Sequence, residues 1–160
     1  MKILCLFLLA TILLGSSETK TDKVILSGSF NYETLFSTTW TLGTVNSSST
    51  NVRIFWSGNI VCLTIPSWTV SGNTADASAA TNTAIPVGYR PSYSDHVSTI
   101  SVWENGAQLA NFGKIAITTS GFIFLYKDNT GSSTWSTSGT NGHLNTEDIC
   151  YGVNAIPPIP

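Results

Sequence analysis

Charge is what this chain has least of. Only 10% of its 160 residues are Asp, Glu, Lys or Arg, and seven basic residues against nine acidic ones leave a net charge of −2. The basic residues form no stripe, so a surface for nucleic acid is excluded and one for acidic lipid is not indicated. Histidine is scarcer still: His96 and His143 are the only two. Neither belongs to an H-x-x-x-H or Cys/His spacing, so no metal centre is indicated. There is no G-x-S-x-G elbow, no phosphate-cradling glycine loop and no calcium loop, and no cofactor is implied. Glu147 and Asp148 are neighbours in a predicted strand, so their side chains point to opposite faces, whereas a glycosidase pair must face one cleft. Asp95-His96 reads as the exposed start of a strand with no third catalytic partner. These absences argue against an enzyme. Serine is abundant enough that counting alone leaves open a triad of distant residues.

Long apolar runs are also missing, with one exception. Lys2 precedes a twelve-residue run, Ile3 to Leu14, followed by Gly15, Ser16 and Ser17. A positive start, a short apolar stretch and small residues make the three parts of a secretory signal peptide. The run is too short for an ordinary membrane span of ~20 residues. Cleavage is expected after Ser17, leaving a mature chain with no membrane span. Without Lys2 that chain has six basic and nine acidic residues, a charge of −3. The alternative is a buried apolar strand or a short anchor helix. Cys5 comes too early for a lipobox. After cleavage only Cys62 and Cys150 of the three cysteines remain. In an oxidising compartment they can pair with none left over, or stay as two buried thiols. Asn46-Ser47-Ser48 is an N-glycosylation sequon.

Polarity comes instead from Ser, Thr, Asn and Gly, which suit exposed strand faces and turns. After a polar lead-in (18–23), short strand-like runs alternate with turns over 24–153. Strands are expected at 24–30, 37–45, 51–56, 60–66, 96–103, 114–118, 122–127 and 147–153. Turns are expected at 46–50, 57–59, 104–106 and 119–121. Residues 71–83 read as a long polar loop, 128–142 as a second polar stretch, and 154–160 as a Pro-rich tail without regular structure. Eight or nine close-spaced strands and no helix after the leader predict an all-β, antiparallel β-sandwich of jelly-roll type in one domain. "FIFLY" (122–126) is apolar on both faces, although a sandwich strand needs only one. A subunit interface or a covering loop is expected over the second face.

Aromatic residues are the strongest positive lead. Trp68 at a strand exit, Trp103 and Asn105 at a Glu-Asn-Gly turn, and Trp135 in a Ser/Thr/Gly loop are candidate ligand-binding residues, with His143 alongside. Core packing is the competing role for each tryptophan.

Four segments then appear in order: "SGNIVCLTIPSW", "AIPVGYRPSY", "VWENGAQLANFGKIAITTSGFIFLY" and "TEDICYGV". Together, over roughly residues 50 to 153, they resemble the receptor-binding head domains of bacteriophage tail fibres and related baseplate proteins. The resemblance implies a jelly-roll-like head, distantly similar to tumour-necrosis-factor and complement heads. It also implies a homotrimer that attaches to cell-surface saccharides or proteins and is not an enzyme. In "PVGYRPSY", Pro86 and Pro91 are expected to hold the chain extended, Tyr89 to bury its ring and Arg90 to fork onto carbonyls or a carboxylate. A leader departs from that family and points to an extracellular head, free or virion-associated. Cys62 and Cys150 depart too, and an exported version would gain a cross-link between two strands. The alternative function is a structural secreted subunit of a coat, matrix or filament. A secreted hydrolase ranks last.

Overall fold

The computed structural model describes residues 32–43, 46–71 and 75–157. The leader, the lead-in, the strand expected over 24–30 and residues 158–160 lie outside the described residues. Tyr32–Pro160 forms a compact unit. Its strands are β1 (Tyr32–Leu42), β2 (Asn46–Ser57), β3 (Ile60–Ile65), β4 (Trp68–Ser71), β5 (Ser78–Thr81), β6 (His96–Ile100), β7 (Trp103–Glu104), β8 (Ala107–Gln108), β9 (Gly113–Ile117), β10 (Ile123–Tyr126), β11 (Thr140–His143) and β12 (Glu147–Gly152), with a 3₁₀ turn at Val87–Tyr89. Every strand pairing is antiparallel. The all-β antiparallel expectation therefore holds.

The strands form an eight-stranded sheet in the order β12-β3-β2-β1-β5-β10-β9-β6 and a four-stranded sheet in the order β4-β11-β7-β8. Alternation explains how the long sheet closes over the core. In β1, Phe36, Thr38, Trp40 and Leu42 face inward and are buried, while Glu33, Leu35 and Ser37 are exposed. Val52, Ile54 and Trp56 of β2, and Val61, Leu63 and Ile65 of β3, continue the inner face. The small sheet packs on it through Trp68 of β4, whose ring stacks on Trp40 at 4.6 Å with an 8° interplanar angle. The long sheet curls until its end strands β12 and β6 approach each other. There the rings of His96 and Tyr151 lie 5.5 Å apart.

Two hairpins follow directly from glycine chemistry. Ser57 pairs with Ile60, so β2 and β3 are joined by Gly58-Asn59, with Gly58 at φ 57°. Glu104 pairs with Ala107 across Asn105 (φ 50°) and Gly106 (φ 80°). Both central residues at positive φ match strand twist, which is why Asn-Gly is favoured there.

Four local expectations are corrected. Residues 46–50 are not a turn but the start of β2, opposite Thr38–Leu42. Their turn-forming composition is overridden by cross-strand bonds: Trp40 Nε1 donates to Thr50 Oγ1 at 3.0 Å, and the Thr39 and Ser49 hydroxyls pair at 3.1 Å. The loop expected at 71–83 contains β5, which sits in mid-sheet between β1 and β10. Its apolar signal is faint because Ala79 and Thr81 are the inward residues, and Thr81 Oγ1 accepts the Ile123 N–H at 3.0 Å. The single strand expected at 96–103 is two, β6 in one sheet and β7 in the other, with the chain crossing at Ser101-Val102. Finally, the Pro86–Pro91 segment is not extended throughout. Pro86 and Arg90 are extended (ψ 145° and 149°), but the residues between them make the 3₁₀ turn.

Cys62 and Cys150 are directly opposite in the β3–β12 ladder and are joined by a disulfide, with Cα atoms 4.0 Å apart although the two residues are 88 positions apart in sequence.

Candidate ligand-binding surface

The tryptophans are mostly core. Trp68 is 4% exposed and Trp135 2%, and His143 is fully buried. In the folded chain none of the three offers a face to solvent. The Ser/Thr/Gly stretch around Trp135 hid this, because its one large ring supplies the anchor that holds an otherwise polar loop. The backbone N–H of Trp135 donates to the Asp76 carbonyl at 2.9 Å. Trp103 is half-buried and Asn105 is exposed at the β7–β8 turn. The turn itself is tied down: Asn105 N–H donates to Asn141 Oδ1 at 3.1 Å, and Glu104 Oε1 accepts from Ser136 N–H at 2.7 Å and Lys127 Nζ at 3.1 Å. Asn46 opens β2 opposite Leu42.

The GYRP segment is scaffold in this geometry. The Tyr89 ring is buried edge-on against Trp56 at 4.9 Å. Arg90 Nε donates to the Ile85 carbonyl at 2.6 Å, within its own loop. Ile85 N–H reaches the Gly121 carbonyl at 2.9 Å, fastening the loop to the β9–β10 turn. Tyr151 hydroxyl donates to the Tyr89 carbonyl at 2.7 Å, fastening it to β12. Pro91 is buried beside these contacts, whereas Pro86 is exposed.

One cluster has the residue types of a hydrolytic triad and not its wiring. Ser101, His143 and Glu147 meet where the chain changes sheets. Ser101 Oγ donates to Glu147 Oε1 at 2.6 Å and accepts from Asn145 Nδ2 at 2.8 Å. Ser101 N–H also reaches Glu147 Oε1, at 3.1 Å. His143 Nδ1 lies 2.8 Å from the Ser101 carbonyl, which can only accept, so Nδ1 carries the proton. Nδ1 is also the ring nitrogen that faces the serine hydroxyl, at 3.3 Å. A base needs an unprotonated nitrogen there and a carboxylate on the other one. Here the carboxylate holds the serine, and Nε2 is buried with no carboxylate on it. Burial pulls the imidazole pKa below its usual 6.5, against the opposing pull of the Ser101 carbonyl, Glu147 and the Ile65 carbonyl. The cluster closes a sheet crossing. No group of His, Cys, Asp and Glu among the described residues is placed to hold a metal.

Open clefts lie elsewhere. The first, about 310 Å³, is lined only by hydroxyl and amide side chains from three stretches: 37–39 on β1, 49–51 on β2, and Asn82-Thr83 after β5. It exists because β5 pairs with β1 only at Trp40 and Thr41, leaving the rest of that β1 edge without a strand neighbour among the described residues. Asn82 caps the gap, its Oδ1 accepting Thr39 N–H at 3.0 Å and its N–H donating to the Thr39 carbonyl at 2.9 Å. The second cleft, about 210 Å³, lies at the β6–β12 seam, between residues 91–97 and Tyr151-Gly152. Tyr93 stands on its rim, 89% exposed. Neither cleft was legible locally, since each joins stretches far apart in sequence.

No family model matches the chain, and no curated protein matches it. Among solved structures, the chain is similar to the reovirus attachment protein sigma1, crystallised in complex with alpha-2,3-sialyllactose. Identity is 13% and the TM-score 0.45, and the match covers 77% of this chain but only 65% of that one. A likeness of this degree transfers neither ligand nor assembly.

Proposed function

We propose that the chain is an extracellular, non-enzymatic attachment module that binds cell-surface glycans or proteins and works as a homotrimer. The observation that carries the reading is the cleft at 37–39, 49–51 and 82–83. It is open, uncharged and lined wholly by hydroxyl and amide groups. Such groups match a polyhydroxylated partner in both donor and acceptor sense and offer no nucleophile, base or metal site. The wiring of Ser101, His143 and Glu147 supports the absence of catalysis. The expected leader and the cross-strand disulfide support an oxidising, extracellular setting. The sequence resemblance to tail-fibre heads points to the same class of molecule.

The test has two parts. Light scattering on the full chain, expressed with its leader and recovered from the medium, is expected to give three chains' mass. A glycan array probed with that material is then expected to show binding that Thr83→Glu, at the cleft rim, weakens. A folded monomer with no partner on glycan or cell surfaces rejects the reading.

A second reading has its own support. The outer face of β6, β9 and β10 carries Val97, Ala116, Phe124 and Tyr126, which suits a coat or filament subunit as well as a trimer. That reading predicts assemblies larger than three chains and no saccharide binding.

A further inference from the structure

The seam cleft is built differently from the uncharged one. Its rim is Tyr93, a residue 89% exposed, although the other two tyrosines at this end, Tyr89 and Tyr151, are 6% and 5% exposed. Tyr93 is the most exposed of the described aromatic residues, ahead of Phe112 at 62% and Phe122 at 36%. The loop that carries it is held at both ends. Pro91 fixes the entry, and Ser92 Oγ accepts the Asn154 N–H at 2.7 Å. On the far side Asp95 Oδ1 accepts the Thr119 N–H at 2.9 Å. The ring therefore stands on a fixed frame, with the Asp95 carboxylate two residues away and lining the same cleft.

The floor completes the arrangement. A Cβ built at Gly152 would meet nothing within 4 Å, so the wall there is open. His96 lines the inner side against Tyr151, and burial holds its pKa below the usual 6.5, which leaves it neutral at pH 7. The lining then presents one negative charge, no cation, an imidazole, and the hydroxyls of Tyr93 and Ser94.

We propose that this seam is a binding site for a neutral pyranose, stacked by its C–H face on Tyr93 with vicinal hydroxyls donated to Asp95. Sugar hydroxyls both donate and accept, so they also match Ser94 and His96. A lysyl or arginyl side chain only donates; it would engage Asp95 and leave the Tyr93 and Ser94 hydroxyl donors unmatched. An acidic sugar would meet the Asp95 charge. The proposal rests on the reading of the chain as a saccharide-recognising module and adds to the hydroxyl-lined cleft a second site with its own chemistry.

The test titrates the full chain with methyl galactoside, methyl mannoside, N-acetylglucosamine, N-acetylneuraminic acid and a Lys-Tyr-Lys peptide, followed by saturation-transfer NMR. At least one neutral sugar is expected to bind and the acidic sugar is not. Tyr93→Ala is expected to weaken that binding roughly tenfold, the scale of one aromatic contact. Tyr93→Phe should retain most of it, and Asp95→Asn should weaken it several-fold. The exposed ring makes Tyr93→Ala safe for folding. Sugar binding that survives Tyr93→Ala but is lost in Thr83→Glu overturns the seam site and leaves the attachment reading standing. Cell binding by the full chain with no sugar bound also overturns the site alone. Binding of the peptide in place of every sugar overturns it in favour of a cationic protein ligand. No binding to any probe or to cells overturns both.

Discussion

At the residue scale, two features decide stability. The first is the disulfide. Cys62 and Cys150 close 88 positions of chain, so the link removes much freedom from the unfolded state. Loss of the link is expected to cost about 2–5 kcal/mol. The double variant Cys62→Ala/Cys150→Ala should therefore unfold at lower urea with an oxidised wild type as reference. An unchanged midpoint would mean that the strands alone hold this edge. The second is His143, buried and neutral beside Ser101 and Glu147. Its folded pKa lies below the unfolded value of 6.5. The unfolded chain thus binds a proton more readily, so stability is full above about pH 6.5 and falls as pH drops toward the folded value. His96 is lowered as well and adds to the same window. The hydrogen-bonded Asp128 carboxylate, also held low, acts only at more acidic pH, below about 4. The melting temperature is expected to fall from pH 7 to pH 5, and His143→Gln should flatten part of that slope. In proton NMR the His143 ring should titrate below 6.5; a value at or above it would contradict the buried neutral placement.

At the element scale, the small sheet depends on one glycine. Gly142 of β11 has φ 147°, and a Cβ there would lie 2.3 Å from the Trp68 carbonyl oxygen on β4. Backbone cannot yield as a flexible side chain would. Gly142→Ala is expected to destabilise by more than about 2 kcal/mol and to loosen Trp68 from Trp40. Loss of near-ultraviolet ellipticity from the stacked tryptophans reads this out, and unchanged ellipticity would mean the clash is relieved elsewhere. This dependence marks where sequence reading ends. Strands with strong alternation, such as Val52-Ile54-Trp56, and turns with strong chemistry, such as Asn105-Gly106, were legible because their signals are local. β5 was not, because Ser-Ala-Ala-Thr becomes a strand only when β1 and β10 flank it. The start of β2 reads as a turn until Trp40 and Thr39 supply partners for its hydroxyls. The break at Ser101 is invisible without Glu147, 46 positions away. The site was legible in part for the same reason. Burial is what separates Trp68 and Trp135 from Tyr93, and burial is not a local property of the sequence. The ring left outside stands in "GYRPSY", where nothing local tells it from Tyr89.

At the scale of the whole molecule, the outer face of the long sheet is apolar where a lone sandwich would be polar. On β10, Ile123 and Leu125 face the core, while Phe124 and Tyr126 face outward and stack at 6.4 Å between ring centres. Lys114 on β9 lies over the Tyr126 ring at 4.3 Å, shielding one end of the strip. Register places Ala80 and Ala116 on either side of Phe124, with Val97 beyond Ala116. Val97 is 54% exposed and Phe122 36%. The two-sided apolar pattern of "FIFLY" is therefore real in the fold, and the loop at Gly131 packs against its Tyr126 end, where a Cβ would lie 3.2 Å from the ring. In the proposed trimer this face is the contact between chains, since burying it gains about 25 cal/mol per Å² of apolar area. The substitution Phe124→Asp places a charge on that strip without touching the inner face. It is expected to leave a folded chain, because Phe124 is only half-buried, while reducing the light-scattering mass from three chains to one. If the mass is unchanged, the contact lies on another face. If wild type and variant are both folded monomers, the strip is open in solution and the homotrimer is rejected, though the seam and the hydroxyl-lined cleft are still complete within a single chain.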